Sequence, residues 1–426
     1  MELETVIGNI ANNTFSSVLS KLYGEYELDR QKKRYLAAIK SFQELYPNDT
    51  DIRIFSASGR TEIGGNHTDH QHGCVLAAAV HMDTIGVVSF HKEGVIRVKS
   101  EGYKAFSVSL SDLSVQRDEK GSAAIVRGVV AGFYKKGIKV DGFDLYCTSD
   151  VLSGSGISSS AAFETLIGTM IDSYYGGEKA VGAVEIAKIG QFSENVYFGK
   201  QSGLMDQMVS SVGGLVAIDF HDTENPTIDS FQYDFEKEGY CICLTDTKGS
   251  HANLTDDYVA IRTEMESVAK EFGASFLRDV DETAFYEKIP ELRKVCSDRA
   301  LVRAAHFFAE NKRAIQEAEA LKKGDFKGFL ELVRESGESS ATLLQNLYPC
   351  HSPGKQEIPL ALMLSQRILG DCGAARVHGG GFAGTIQAIV PFDKRETYIK
   401  EMSRIFGEGA CIELRIRPVG GVEVTK

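Results

Sequence analysis

The stretch Asp150–Glu164 restricts this chain more than any other, because it joins a strand to a helix through a turn made of glycine and serine. Before it, Phe143, Leu145 and Cys147 alternate with polar residues, which predicts a strand; after it, Ala161, Ala162, Leu166, Ile167 and Met170 fall at helical spacing. Gly154 and Gly156 permit a tight turn and a close backbone approach, and the helix start offers amide donors and a positive dipole end. Such a turn suits an anion. It lacks the third glycine of a dinucleotide-binding turn, where Ser159 stands, and the Gly-Lys-Ser/Thr of a Walker loop. One reading is a plain loop whose serines cap the helix; the other is a phosphate cradle, since Ser158, Ser159 and Ser160 exceed what one cap requires.

Three further stretches concentrate polar chemistry. Residues 58–73 hold Arg60, Asn66, His67, Asp69, His70 and His72 among glycines, between apolar flanks. The histidines lack the i, i+4 pairing of a helical zinc site, so a solvated loop and a polar substrate site compete with a metal, and in the substrate reading Arg60 supplies fixed positive charge. Asp206 sits in Gly-Leu-Met-Asp-Gln among Leu204, Met205 and Met208, where a buried carboxylate needs a cation, and Arg60 is the candidate. Glu194 either faces solvent on its helix or serves as a hard oxygen ligand for magnesium. His378–Gly384, with three consecutive glycines, is a flexible hairpin or a backbone crossing close to a phosphate-bearing ligand.

A chain of 426 residues favours two domains, and the Asn225-Pro226 turn divides it into 1–225 and 226–426. Helical spacing covers residues 1–46 up to Pro47, and separate strands are expected at Val75–Val80 and Thr84–Phe90. A net charge of −12 argues against nucleic acid but leaves room for a small anion held by local donors. The cysteines show no Cys-x-x-Cys and read as reduced; no run of 18 apolar residues points to a membrane, and a cytoplasmic location is expected.

Taken together, Gly59–Asp69, Gly154–Ala161, Gly203–Gln207 and Gly379–Gly384 resemble the four motifs of the GHMP family of small-molecule kinases and, within it, the galactokinase branch, over about residues 52–391. The resemblance implies an α+β, two-domain fold: an N-terminal domain like ribosomal protein S5 domain 2, a ferredoxin-like C-terminal domain, and the site between them. It implies a sugar 1-kinase with ATP as co-substrate and Mg2+. Asp206 matches the base at the sugar C1 hydroxyl and Arg60 the arginine orienting it. Ser160 and Glu194 match the metal ligands. Gly154, Ser155, Gly156, Ile157, Ser158 and Ser159 match the triphosphate cradle, with Ser160 beside them. His67, Asp69, Gly203 and Tyr258 fall on sugar contacts, together with Asn66. The implied partners are a small sugar and ATP, with no nucleic acid and no membrane, in a monomer or weak homo-oligomer.

The sequence also departs from that branch. Asn66 stands where it carries the Glu that meets the sugar 6-hydroxyl; losing that charge removes about 4 kcal/mol of repulsion toward a 6-carboxylate at 4 Å and an effective dielectric near 20. Galacturonate and L-arabinose are therefore alternatives to galactose. Ser58 and Ala77 replace prolines, and His378 and Ala383 replace Thr and Gly. A non-catalytic sugar sensor or co-regulator is the contrasting expectation, and it requires a damaged catalytic set, whereas Arg60, Ser160, Glu194 and Asp206 are all present.

Overall fold

The computed structural model describes residues 1–116, 118–119, 121–151, 156–200, 202–250 and 254–426. Two sheets carry the chain. The first orders its strands β12-β1-β2-β5-β3-β4, with β6 also on β2 and β7 on β6. Its members are β1 (Arg53–Gly64), β2 (Cys74–Phe90), β3 (Val95–Ser100), β4 (Phe106–Ser109), β5 (Phe143–Ser149), β6 (Leu215–Asp219), β7 (Thr227–Phe231) and β12 (Val422–Glu423). The second is antiparallel, in the order β11-β8-β10-β9, from β8 (Tyr240–Asp246), β9 (Ala374–His378), β10 (Thr385–Pro391) and β11 (Cys411–Leu414).

Strand alternation explains why the first sheet is covered on both faces. Phe55, Ala57, Val88, Phe143 and Leu145 point into a core completed by the helices α4 (Ser122–Lys135), α5 (Ser159–Ile171) and α6 (Gly182–Phe192). Ile54, Ile85, Val87 and Tyr146 point the other way, into α1 (Leu3–Ala11), α2 (Ser16–Tyr23) and α3 (Leu28–Leu45). A third cluster joins the halves, packing Ile63, Leu76, Val80 and Ile157 with Ile242, Leu244, Phe329 and Val333.

One expectation is corrected. Val75–Val80 and Thr84–Phe90 belong to one 17-residue strand, β2, whose first part pairs with β6 and whose last part pairs with β5. The polar interruption at His81–Asp83 continues as strand because the backbone of His81 bonds Arg415 and Asp83 is buried among tertiary partners. The Asn225-Pro226 turn lies in the connection between β6 and β7, which pair in one sheet, and the chain reaches the second sheet at Tyr240.

Candidate active site

Four elements meet where β1 runs under the start of α5. Arg60 on β1 bonds Asp206 in a bidentate pair along one edge of its guanidinium, Nε to Oδ1 at 2.7 Å and Nη2 to Oδ2 at 2.8 Å. Its third nitrogen donates to the carbonyl of Gly156, and its backbone N–H to Ile157 at 3.0 Å. Asp206 lies in the first turn of α7 (Met205–Val212), where the dipole favours negative charge. Burial pushes its carboxyl up, but the charge and hydrogen bonds of Arg60 and the Ser158 hydroxyl, 2.7 Å away, together hold it below its ordinary value. The result is an ionised acid, pinned in orientation and 30% exposed.

The same geometry leaves the turn open to an anion. Ser158 adopts a left-handed conformation at φ 61° and makes no side-chain cap on α5, since its hydroxyl goes to Asp206. The first-turn amides of α5 therefore have no side-chain acceptor there. Gly156, at φ 79°, is required: a Cβ would stand 2.9 Å from Thr385 Oγ1. Gly154 and Ser155 lie outside the described residues.

Beside the turn is a cavity of about 520 Å³ whose lining includes the polar Ser159, Ser160, Glu164 and Glu194 and the apolar or aromatic Tyr103, Ile125, Phe163 and Phe198. Glu194, 2% exposed in a π-type turn, accepts Lys200 Nζ at 2.7 Å and Gln207 Nε2 at 3.0 Å. The same Gln207 nitrogen reaches Glu164 Oε2 at 2.9 Å, and Glu164 Oε1 has no hydrogen-bond partner among the described residues. Burial, with Glu194 adding to it, pushes the Glu164 carboxyl well up. An orphaned buried oxygen and a second carboxylate already facing an ammonium make a hard-donor set that fits a magnesium ion. Glu164 was missed by motif reading, although it stands four residues after Ser160 on one helix face.

On the other side of Arg60 the residues of the 58–73 stretch close a polar recess. Asp69 accepts the N–H of His70 at 2.8 Å, and burial pushes its carboxyl up. Gly203 passes so near that a Cβ would sit 2.9 Å from Asp69 Oδ2. His67, at φ 60°, pairs with the Gly380 carbonyl at 2.8 Å; Tyr258 donates to Gly381 at 2.9 Å. The triple glycine thus ties this loop to the second sheet, and Gly380 is glycine because a Cβ would meet the Tyr258 ring at 2.7 Å. His378 is held neutral by burial first, then by the nearby positive charge of Arg60 and Arg376; its Nε2 accepts the Glu62 N–H at 3.2 Å.

Asn66 does not sit as expected. It is fully buried; its Nδ2 donates to Glu62 Oε1 at 3.0 Å and to Gly379 at 2.7 Å, and its Oδ1 accepts from Asn346 at 2.9 Å. Both amide hydrogens are used inside the protein, so Asn66 braces the loop against Glu62 and the glycine turn. The carboxylate expected to be absent is its neighbour Glu62, whose Oε1 is also bonded by Arg376 at 2.5 Å and whose Oε2 makes no hydrogen bond among the described residues. Burial works against the Arg60 charge, and the carboxylates of Asp206, Glu62 and Asp69 together outweigh it, with Asp206 the strongest of the three. Nor do His70 and His72 form a metal centre with His67: His70 is held neutral by burial, and His72 stacks on Phe276 at 3.7 Å.

Both the sequence and the fold are similar to those of known kinases. The galactokinase galactose-binding signature matches residues 40–90, and the GHMP kinases N-terminal domain matches residues 124–214. The galactokinase of Actinobacillus pleuropneumoniae serotype 5b is 33% identical over 371 residues, 84% of this chain and 90% of that protein. That of Glaesserella parasuis serovar 5 is 33% identical over 351 residues, 81% and 86%. In fold, the chain superposes on Lactococcus lactis galactokinase complexed with galactose with a TM-score of 0.77 at 22% identity, covering 91% of this chain and all of the other. Methanococcus jannaschii mevalonate kinase gives 0.62 at 14% identity, covering 86% and 98%.

Proposed function

The chain belongs to the galactokinase family of GHMP kinases, and from that membership we propose that it transfers the γ-phosphoryl group of ATP to the anomeric hydroxyl of galactose, giving galactose 1-phosphate. The observation that carries the chemistry is the doubly bonded Arg60–Asp206 pair seated against the phosphate turn. Phosphoryl transfer asks little covalent work of a protein, so alignment and charge compensation dominate. Asp206, ionised and weakly basic, orients the C1 hydroxyl and takes its proton once the oxygen–phosphorus bond is forming. Arg60 fixes that carboxylate and adds positive charge beside the transferring group.

The α5 amides and Ser160 receive the phosphates, and Tyr103, Phe163 and Phe198 offer rings for the base. Ser160 and Glu194, which line the same cavity as Glu164, would hold Mg2+, and the ion would supply positive charge against the phosphates. Asp69, His67, Gly203 and Tyr258 face the sugar. Among the described residues no helix is long and apolar enough to cross a membrane; the reading places the enzyme in the cytoplasm, as a monomer or weak homo-oligomer. The test is a panel of galactose, galacturonate and L-arabinose with ATP and Mg2+: galactose is expected to be turned over best, and turnover of galacturonate alone would overturn the assignment.

Glu62 gives this specificity a physical source. Its carboxylate restores beside Asn66 the negative charge that residue 66 lacks, so the case for a 6-carboxylate substrate loses its ground. Glu62→Gln is expected to lower the galactose-to-galacturonate ratio of kcat/KM by about tenfold or more, a fraction of the Coulomb repulsion because Arg376 already compensates part of the charge. The ratio cancels any loss of folded protein. An unchanged ratio would remove Glu62 as the discriminator.

A further inference from the structure

The N-terminal helices end on the root of the phosphate turn. Arg34 of α3, 10% exposed, donates from Nη1 to Asp83 Oδ1 at 2.6 Å and from Nη2 to the Asp83 carbonyl at 2.9 Å and that of Thr148 at 3.3 Å. Asp150, the first residue after β5, gives its N–H to the same Asp83 carbonyl at 2.9 Å, and its carboxylate pairs with Arg30 at 3.0 Å and Arg34 at 3.3 Å. Asp83 is completely buried and also receives the hydroxyls of Tyr23 and Ser56 and, at 3.1 Å, Arg417 from the C-terminal tail. Three arginines thus meet two aspartates within one cluster, with Arg30 also pairing with Glu27. Its immediate neighbours Thr84, Ser149 and Val151 line the 520 Å³ cavity beside Ser160 and Glu194.

We propose that Arg34 is a positioning residue for the nucleotide, acting through Asp83 and Asp150 to hold Ser149 and Val151 at the cavity wall and to cancel the charge of the aspartate between them. This makes the N-terminal helices part of the donor site. A buried charge cluster joining three distant segments fixes their mutual geometry, because each partner is costly to leave alone. Without Arg34, Asp150 keeps only the half-exposed Arg30, and its charge reaches toward an anionic ligand.

The inference rests on the ATP-dependent reading, and its test separates the two. Binding of the non-hydrolysable analogue AMP-PNP with Mg2+ is titrated calorimetrically, alongside KM for galactose. Arg34→Met is expected to weaken AMP-PNP by about tenfold with the galactose KM within about twofold of the parent, and Arg34→Lys to recover part of the loss. The decisive arm is the double variant Arg34→Met with Asp150→Asn, which removes the unmasked charge and regains at least about threefold in AMP-PNP affinity. If Arg34→Met does not fold, Arg30→Ala reports the same charge from a half-exposed position, with an expected weakening of about twofold to threefold. Unchanged AMP-PNP binding, equal losses for both ligands, or no recovery in the double variant overturns the proposal. Tight AMP-PNP binding by a parent that phosphorylates no sugar would instead overturn the proposed function.

Discussion

Replacing Asp206 with Asn is expected to lower kcat by about 10²- to 10⁴-fold, the range contributed by a positioned proton acceptor. Asn still accepts from Arg60, so the fold persists at a cost of about 1–2 kcal/mol for the weakened hydrogen bonds. The pH profile separates this role from a structural one. Asp206 works ionised and its carboxyl is held below the ordinary value of 3.8, so kcat shows no acid limb above that pH. Asp69 is shifted the other way, so a limb in kcat/KM for the sugar reports Asp69 in the free enzyme. In Arg60→Met the burial effect on Asp206 loses its main opponent, and an acid limb is expected to enter kcat itself. Rates between pH 5 and 8 for parent and variant check this; parallel kcat profiles would mean that Arg60 does not set the state of Asp206.

That wiring was legible because each part announces itself locally. Gly154–Ala161 had to be a turn before a helix, and an acid among Leu204, Met205 and Met208 had to find a cation. Spacing could not reveal that Ser158 leaves its helix uncapped to bond Asp206, because the two are 48 residues apart. Glu62 lies within the polar 58–73 stretch without a spacing that singles it out, and only its contacts with Asn66 and Arg376 show a carboxylate beside position 66. The N-terminal helices were visible by periodicity, but their purpose hangs on Asp83, whose polar neighbourhood was taken for a gap between strands. In each case local pattern gave the element, and tertiary partners gave its role.

Arg376→Met is expected to destabilise the fold by about 3–5 kcal/mol, the usual cost of breaking a buried ion pair from one side. Arg376 stands on β9 with no exposed surface and bonds Glu62 and the Ile63 carbonyl of β1, so it fastens the sugar-side strand to the second sheet. Its charge also reaches Glu310, which burial pushes up but which His306, Arg376, Arg313 and the Ser336 hydroxyl hold at about 2. A carboxyl lowered from 4.5 to about 2 contributes about 3 kcal/mol of stability. That contribution is present above pH 4.5 and is lost as the pH falls toward 2. Without Arg376 the Glu310 carboxyl rises, so the variant's acid unfolding should begin at higher pH than the parent's, in addition to its lower stability at pH 7. Circular dichroism melts at pH 7 and pH 4 measure both effects. A variant melting within about two degrees of the parent at both values would show that Glu62 and Glu310 do not depend on this arginine.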